Sequence, residues 1–283
     1  MVVTADPRLP PASGPRPPVA LTVAGSDSGG GAGIVADLKT FEAHGVWGAC
    51  ALVAVTAQNT LGVQAFETLS PALVAEQIRS VAGDIGLDAA KTGMLATAEL
   101  VGTVADALRE AGGPPLVVDP VFVSKHGDTL LADDAVSALL DRLLPMATVV
   151  TPNLPEAAAL TGVEIADRAG MEEAARRLAG AGPGVVLVKG GHLAGDESPD
   201  LVWANDCAEW LEGLRIPGRH THGTGCTLSA AITAELARGM DPADACVAAK
   251  AFVTHAIAAG VALGAGVGPV NPGWERLAGA SPG

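Results

Sequence analysis

From residue 19 onward, short β-branched runs alternate with amphipathic stretches of helical period, and this alternation leaves the chain few architectures to adopt. The runs at 19–24, 52–56, 116–119, 147–151 and 185–189 are apolar at successive positions, as strands of a parallel sheet covered on both faces must be. Between them, Ile34, Leu38 and Phe41 share one helical face while Asp37, Lys39 and Glu42 point elsewhere, and Val74, Ile78 and Val81 repeat the pattern. The same period predicts helices over 98–111, 132–144, 171–181, 227–238 and 242–263. Strand followed by helix followed by strand implies an α/β chain: a doubly wound, mostly parallel sheet flanked by helices on both faces. Apolar residues make up 49 % of the chain but aromatics only 3 %, so the core has to be built from small, closely packed side chains. No linker, composition break or repeat divides residues 19–276, which are expected to form one domain. A disordered Pro-rich leader is expected at 1–18 and a flexible tail at 277–283.

Several function classes fall away on composition. The formal charge of −14 with no basic stripe argues against a nucleic-acid partner. No apolar run reaches the roughly 18 residues that span a bilayer, since Lys250 and His255 interrupt 247–265 at helical spacing. No positive region followed by an apolar stretch opens the chain, so a signal peptide is not expected, and the cytoplasm is the expected location. Cys50, Cys207, Cys226 and Cys246 show neither paired CxxC spacing nor a disulfide framework. Three of them read as small buried hydrophobes; Cys226 stands apart.

Ligands of doubly wound sheets bind at the carboxyl ends of the strands, so the residues after each strand are the candidates. The loop Gly25–Gly33 brings backbone N–H groups to the start of a helix. Within it, Gly31-Ala32-Gly33 loosely matches a dinucleotide fingerprint, but the next strand ends in Thr56-Ala57-Gln58 rather than an acid for the ribose. No glycine loop ends in Gly-Lys-Ser or Gly-Lys-Thr, so a P-loop is absent. A second loop, Thr221-His222-Gly223-Thr224-Gly225-Cys226, opens an apolar helix. It can aim several free N–H groups at one spot, an anion hole for a phosphoryl group in transfer, or it can be a tight turn that needs glycine. Residues 191–213 read as a loop and a short hairpin, either a surface excursion or a flap over a nucleotide.

These residues occur in a specific set of blocks. AGSDSGGGAGIVADLKTF from Ala24, TAQNT from Thr56, KTGML from Lys91, VVDPVFVSKHGDTLL from Val117, TPNLPEAAALTG from Thr151, VKGGH from Val188 and THGTGCTLSAA from Thr221 follow one another from about Leu21 to Asn271. In that order they resemble the phosphomethylpyrimidine kinases of the ribokinase-like superfamily. The resemblance implies ATP-dependent phosphorylation of a hydroxymethylpyrimidine of thiamin synthesis, first to the monophosphate and then to the diphosphate. It implies that Gln58 hydrogen-bonds the aminopyrimidine, for which an amide is chemically apt, although Gln58 could also cap a turn. Met94, after a strand, is implied as an apolar wall over the ring, with core filler as the plain alternative; Gly25, Asp27 and Ala32 complete the pocket. Gly223, Thr224 and Gly225 supply the anion hole, and Lys189, Asn153 and Thr224 the nucleotide side. Glu156 and Asp119 are implied to organise Mg2+ through water, while Asn153 can equally serve as a helix cap. Lys125 and Asp128 fall in a loop near the substrate. Members of the superfamily often look dimeric, so a homodimer is expected.

Most sugar kinases of the superfamily have aspartate where this chain has Cys226. A helix N-terminus lowers a thiol's pKa from its ordinary value near 8.5, so a partly formed thiolate is expected to accept the hydroxymethyl proton. A phosphomonoester nucleophile is already anionic and needs no base, and a neutral thiol would not repel it as a carboxylate would. Simple packing at a helix start is the alternative for Cys226. Two other functions stay open on the residues: a pyridoxal kinase, whose acceptor is also a ring with a hydroxymethyl group, and a non-catalytic sensor of a vitamin precursor on a kinase fold.

Overall fold

The computed structural model describes residues 15–121 and 133–278. In chain order the elements are β1 (Val19–Ala24), α1 (Gly33–Ala43), β2 (Trp47–Leu52), β3 (Ala54–Asn59), β4 (Gly62–Thr68), α2 (Pro71–Asp84), β5 (Ala89–Thr92), α3 (Ala98–Glu110), β6 (Leu116–Val118) and α4 (Asp133–Ala138). There follow β7 (Val149–Val150), α5 (Leu154–Thr161), α6 (Arg168–Ala179), β8 (Val185–Lys189), β9 (Asp200–Ala204), β10 (Cys207–Leu211), α7 (Thr224–Ala237), α8 (Pro242–Ala258) and α9 (Trp274–Ala278). The leader predicted at 1–18 lies outside the described residues up to position 14, and the tail predicted at 277–283 from position 279.

The described strands build an eight-stranded sheet in the order β10-β9-β8-β7-β6-β5-β1-β2, parallel from β2 to β8, with β9 and β10 added antiparallel at one edge. Alternate strand residues feed opposite cores. Val118, Val150, Val186 and Val188 pack with α2, α3, α5 and α6, while Val117, Val149, Val185 and Leu187 pack with α7 and α8. Phe41 of α1 joins Ala230 and Ala234 of α7 in a third cluster on that second side. This two-sided burial is why the strands read as unbroken apolar runs rather than alternating ones. From β1 the chain runs outward to β2 and later returns on the other side to β5. The direction reverses between β1 and β5, and the loops that follow these two strands diverge there, opening a crevice at their carboxyl ends.

Four predicted elements differ in the structure. The run at 52–56 is two strands: β2 ends at Leu52, and β3 leaves the main sheet to pair with β4 in a separate antiparallel ribbon. Val53 N–H bonds Ala24 O and Ser26 N–H bonds Ala54 O, which turns the chain at a point where composition does not change. The helix expected over 132–144 is α4, then a π turn at Leu139–Leu143 and a 3-10 turn at Leu144–Met146, where Pro145 cannot continue α-helical bonding. The helix expected to 263 stops at Ala258. At Gly260 a Cβ would press on His220 O, so the chain there is folded back against the second glycine loop. The strand expected over 147–151 is only Val149–Val150. The hairpin expected within 191–213 is present as β9 and β10, and it extends the main sheet.

Candidate active site

A cavity of about 1310 Å³ opens at the carboxyl ends of the central strands and holds every candidate side chain among the described residues. One small ring does not need so much room; a ring and a nucleotide together do.

At the acceptor end, the loop after β1 is wound around one carboxylate. Asp27 accepts the N–H of Gly29 (2.8 Å), Gly31 (3.0 Å) and Ala32 (2.9 Å), and stands 2.9 Å from Nε2 of His222. Burial acts to raise its pKa, but the His222 hydrogen bond and charge and the loop N–H groups outweigh it and hold Asp27 below the usual range. The Asp27–His222 pair ties the first glycine loop to the second. Gly223 is in the left-handed region (φ +78°), and a Cβ there would collide with Gly31 O, so glycine is required for the two loops to touch. Gly25 leaves space for Met94: a Cβ would lie 2.6 Å from Met94 Cε. Gln58 is fixed by Ser28, whose Oγ accepts its N–H and donates to its carbonyl, both at 2.8 Å.

The anion-hole loop leads into α7, whose start no side chain caps; Thr224, Gly225 and Cys226 of its first turn line the cavity, and the Thr224 N–H is turned to Thr221 O at 3.4 Å. The thiol of Cys226 contradicts the expected partial thiolate. Burial pushes it up to about 11, the Asp37 and Asp119 carboxylates add to that, and the Lys91 ammonium and the Gly33 N–H only partly offset it. Near pH 7 the sulfur is therefore a neutral thiol.

At the other end, three ionisable side chains meet. Lys189 Nζ donates to Asp119 Oδ1 at 3.0 Å and lies 3.8 Å from Glu156 Oε2. Asp119 also accepts the hydroxyls of Thr151 and Ser229, each at 3.1 Å. Burial would raise Asp119, but the Lys189 and Lys91 charges hold it low. Burial would lower Lys189, but the Asp119 and Glu156 carboxylates raise it. Glu156 is raised to about 7, by burial first and by Asp119 next, against the pull of Lys189. Asn153 caps α5 in a complete capping box: Glu156 N–H donates to its side chain, and its own N–H donates to Glu156 Oε2 (2.7 Å). A bridge between Asn153 and Lys189 sets the two side by side at the strand ends.

Two further sets of residues were not singled out by the sequence. Asp37, expected to point away from the core, is fully buried; it accepts from Thr22 Oγ1 (2.6 Å) and pairs with the equally buried Lys91 (2.8 Å). A helical period cannot reveal a charged residue inside when its partner arrives from a distant strand. Arg215 threads the segment after β8, donating to the carbonyls of Gly191 (2.8 Å), Leu193 (2.7 Å), Gly195 (3.0 Å) and Glu197 (3.4 Å). Gly191, His192 and Ser198 around that segment, residues 211–216 with Gly218, and one side of α8 line the same cavity. His222, Thr56 and Lys91 stood inside the recognised blocks without roles. Of the cysteines read as buried, Cys246 is; Cys50 is half-buried, and Cys207 is exposed because β10 is an edge strand. Lys125 and Asp128 lie outside the described residues.

The pattern of the family described as phosphomethylpyrimidine kinase matches residues 27–271. The chain is 55 % identical over 258 residues to a hydroxymethylpyrimidine/phosphomethylpyrimidine kinase of Streptomyces coelicolor, covering 91 % of this chain and 95 % of that one. It is 45 % identical over 272 residues to the enzyme of that name from Mycobacterium leprae, covering 94 % and 98 %. Among solved structures, a Bacillus subtilis pyridoxal kinase in complex with ADP superposes with a TM-score of 0.86 at 39 % identity, covering 92 % of this chain and 99 % of that one. A phosphomethylpyrimidine kinase from Clostridium difficile superposes with a TM-score of 0.75 at 40 % identity, covering 84 % and 99 %.

Proposed function

This chain belongs to the phosphomethylpyrimidine kinase family, and from that premise we propose that it transfers the γ-phosphoryl of ATP to 4-amino-5-hydroxymethyl-2-methylpyrimidine. It then phosphorylates the monophosphate to the diphosphate, for thiamin biosynthesis. The observation that carries this reading is that Gln58 and Cys226 wall one cavity with Asp119, Glu156 and Lys189. A ring reader, a group beside the reacting hydroxyl and a charged phosphate end thus share one space. Residues 19–276 act as one kinase domain in this reading, in the cytoplasm.

Gln58 pairs with the amino group and ring nitrogen, Met94 covers the ring, and Gly25, Asp27 and Ala32 close the pocket. Gly223, Thr224, Gly225 and the N-terminus of α7 receive the negative charge of the phosphoryl group in flight. Lys189, Asn153 and Thr224 border the nucleotide phosphates. In the first transfer the hydroxymethyl oxygen attacks phosphorus, ADP leaves, and the hydroxyl proton passes to the sulfur of Cys226. A neutral thiol has to lose its own proton beforehand, so this step is favoured by rising pH. In the second transfer the attacking oxygen belongs to a phosphate already ionised, and the uncharged thiol leaves it unopposed.

Mg2+ is the proposed cofactor. No group of three His, Cys, Asp or Glu side chains is arranged to hold a metal among the described residues. The two carboxylates of Asp119 and Glu156 suit an ion that keeps most of its water and takes phosphate oxygens. When bound, it would neutralise phosphate charge. A homodimer is also proposed, supported by the β3–β4 ribbon, which exposes Val55 (48 %) and Phe66 (53 %).

The superposition on pyridoxal kinases favours one second reading, phosphorylation of pyridoxal. ADP release measured with Mg2+, ATP and each of three acceptors separates the two. Turnover on the hydroxymethylpyrimidine and its monophosphate, with pyridoxal poor, is expected. Turnover on pyridoxal alone would overturn the assignment.

A further inference from the structure

The two ends of the Gln58 side-chain amide face different neighbours. As positioned, Oε1 lies 3.4 Å from Thr56 Oγ1 and Nε2 lies 3.4 Å from His222 Nε2. Both contacts are long for hydrogen bonds. Each neighbour is also committed elsewhere. Thr56 has one hydroxyl proton, and it points to the carbonyl oxygen of Ser26 at 3.0 Å, an atom that can only accept. Toward Gln58, Thr56 can therefore only accept. His222 Nε2 stands 2.9 Å from Asp27 Oδ2, and that carboxylate already accepts three backbone N–H groups. An ionised carboxylate cannot donate, so the proton sits on His222 Nε2 and lies toward Asp27, and this nitrogen has no lone pair left to accept an amide N–H from Gln58.

An amide with its oxygen toward Thr56 and its nitrogen toward His222 meets an acceptor with an acceptor and a donor with a donor. Turned end for end, its nitrogen donates to Thr56 Oγ1 and its oxygen faces the positive N–H edge of His222, whose one proton it shares with Asp27. Amide oxygen and nitrogen are nearly the same size, so the hydrogen-bond network decides between the two orientations. We infer that Thr56 and His222 are positioning residues that fix the amide polarity of Gln58, with Nε2 toward Thr56 and Oε1 toward His222, and thereby decide which way round the acceptor ring is read.

This inference rests on the pyrimidine reading and sharpens it. With that polarity the protein fills one hydrogen-bonding position on the amide oxygen and one on the nitrogen. One acceptor and one donor remain, side by side, facing the cavity. They match a ring that carries an amino donor beside a ring-nitrogen acceptor, with the amino group on the His222 side. The hydroxymethyl carbon neighbours the amino carbon, so it falls on that side too. His222 and Cys226 are on the same glycine loop, and the reacting hydroxyl is thus brought to the sulfur. The opposite polarity would present the far edge of the ring to that loop.

The test compares the 4-amino pyrimidine with its 4-oxo analogue, in which the ring nitrogen becomes the donor and the exocyclic atom the acceptor. Dissociation constants are measured calorimetrically for wild type, Thr56→Val and Thr56→Ser. Wild type is expected to prefer the amino ring by about a hundredfold or more, because a fixed polar site rejects a mismatched partner strongly. Thr56→Val frees the amide to rotate and should narrow that preference by about tenfold, the worth of one hydrogen bond, while Thr56→Ser keeps it. An unchanged preference in a folded Thr56→Val would overturn the inference and leave the pyrimidine reading standing. Binding of neither ring to wild type would overturn the pyrimidine reading and the inference with it. A measurement needing no variant is the 15N chemical shift of His222: a protonated Nε2 is expected, and an unprotonated one would refute the assigned polarity.

Discussion

Replacing Lys91 by methionine strips the counter-charge from a carboxylate that solvent does not reach. Asp37 is 0 % exposed and Lys91 1 %, with 2.8 Å between the charged atoms. Breaking such a pair from one side costs about 3–5 kcal/mol, because the surviving charge is left buried and uncompensated. Burial already raises the pKa of Asp37 against the pull of Lys91, so without Lys91 it rises further. An acid whose folded pKa lies above its unfolded one costs nothing below the unfolded value, and stability is lost as pH climbs through the folded value. Lys91→Met should therefore lose stability in parallel with wild type until Asp37 ionises in the wild-type fold, and beyond that pH fall behind by roughly 1.4 kcal/mol per pH unit until Asp37 ionises in the variant as well. In urea at about pH 8, with an m-value of about 3 kcal/mol/M, the midpoint should drop by roughly 1 M or more. Asp37→Asn/Lys91→Met carries no charge and keeps a carbonyl for the Thr22 hydroxyl, so it should recover most of the loss. Equal midpoints for Lys91→Met and wild type at that pH would refute the argument, as would a double variant no more stable than the single one.

Alkylation of Cys226 by iodoacetamide, followed by mass spectrometry, should still accelerate between about pH 9 and 10, where an ordinary thiol has levelled off; a plateau below that range would contradict the burial of the sulfur. With chemistry limiting, the first phosphorylation should climb with pH while the second stays flat, and Cys226→Ser should remove the climb. Cys226→Asp should slow the second phosphorylation by roughly a hundredfold relative to the first, since a carboxylate about 5 Å from a phosphate charge repels it by about 3 kcal/mol at an effective dielectric of about 20. Arg215→Ala should raise KM for ATP with kcat little changed, because Arg215 lines the cavity and ties down the segment whose Gly191 and His192 line it beside Lys189; an unchanged KM would reduce Arg215 to surface structure.

How much of this was legible follows from what a sequence encodes locally. The strands at 116–119 and 185–189 announced themselves because both faces of the sheet are covered, and Asn153 announced a helix start because its cap partner, Glu156, is three residues away. Asp37 misled because its charge is satisfied by Lys91, 54 residues later, across a strand pairing that no periodicity contains. The thiol misled for a related reason. A helix N-terminus was readable beside Cys226, but not its depth or the two carboxylates that also bear on it. Thr56 and His222 lay in recognised blocks, yet their role depends on where single protons point, and 166 positions separate them.

The charge of the chain as a whole argues for repulsion of ATP, and the site explains why that argument does not govern. At about 0.15 M salt, charges more than about 8 Å away are largely screened, so most of the −14 is invisible from within the cavity. What a phosphate meets there is local. Asp37 is cancelled by Lys91, Asp119 is met by Lys189, Cys226 is neutral, and Glu156 is poised near neutrality with its pKa about 7. Of these groups only Glu156 changes charge near physiological pH. Its ionisation adds one negative charge beside Lys189, at the place where a divalent ion arriving with the nucleotide would be welcomed. These pairs thus offset one another before substrates enter, and in the proposed reading the backbone N–H groups of the second glycine loop add to the attraction that Lys189 offers a phosphate. A carboxylate at position 226 would upset that balance, which ties the identity of one cysteine to the electrostatics of the whole crevice.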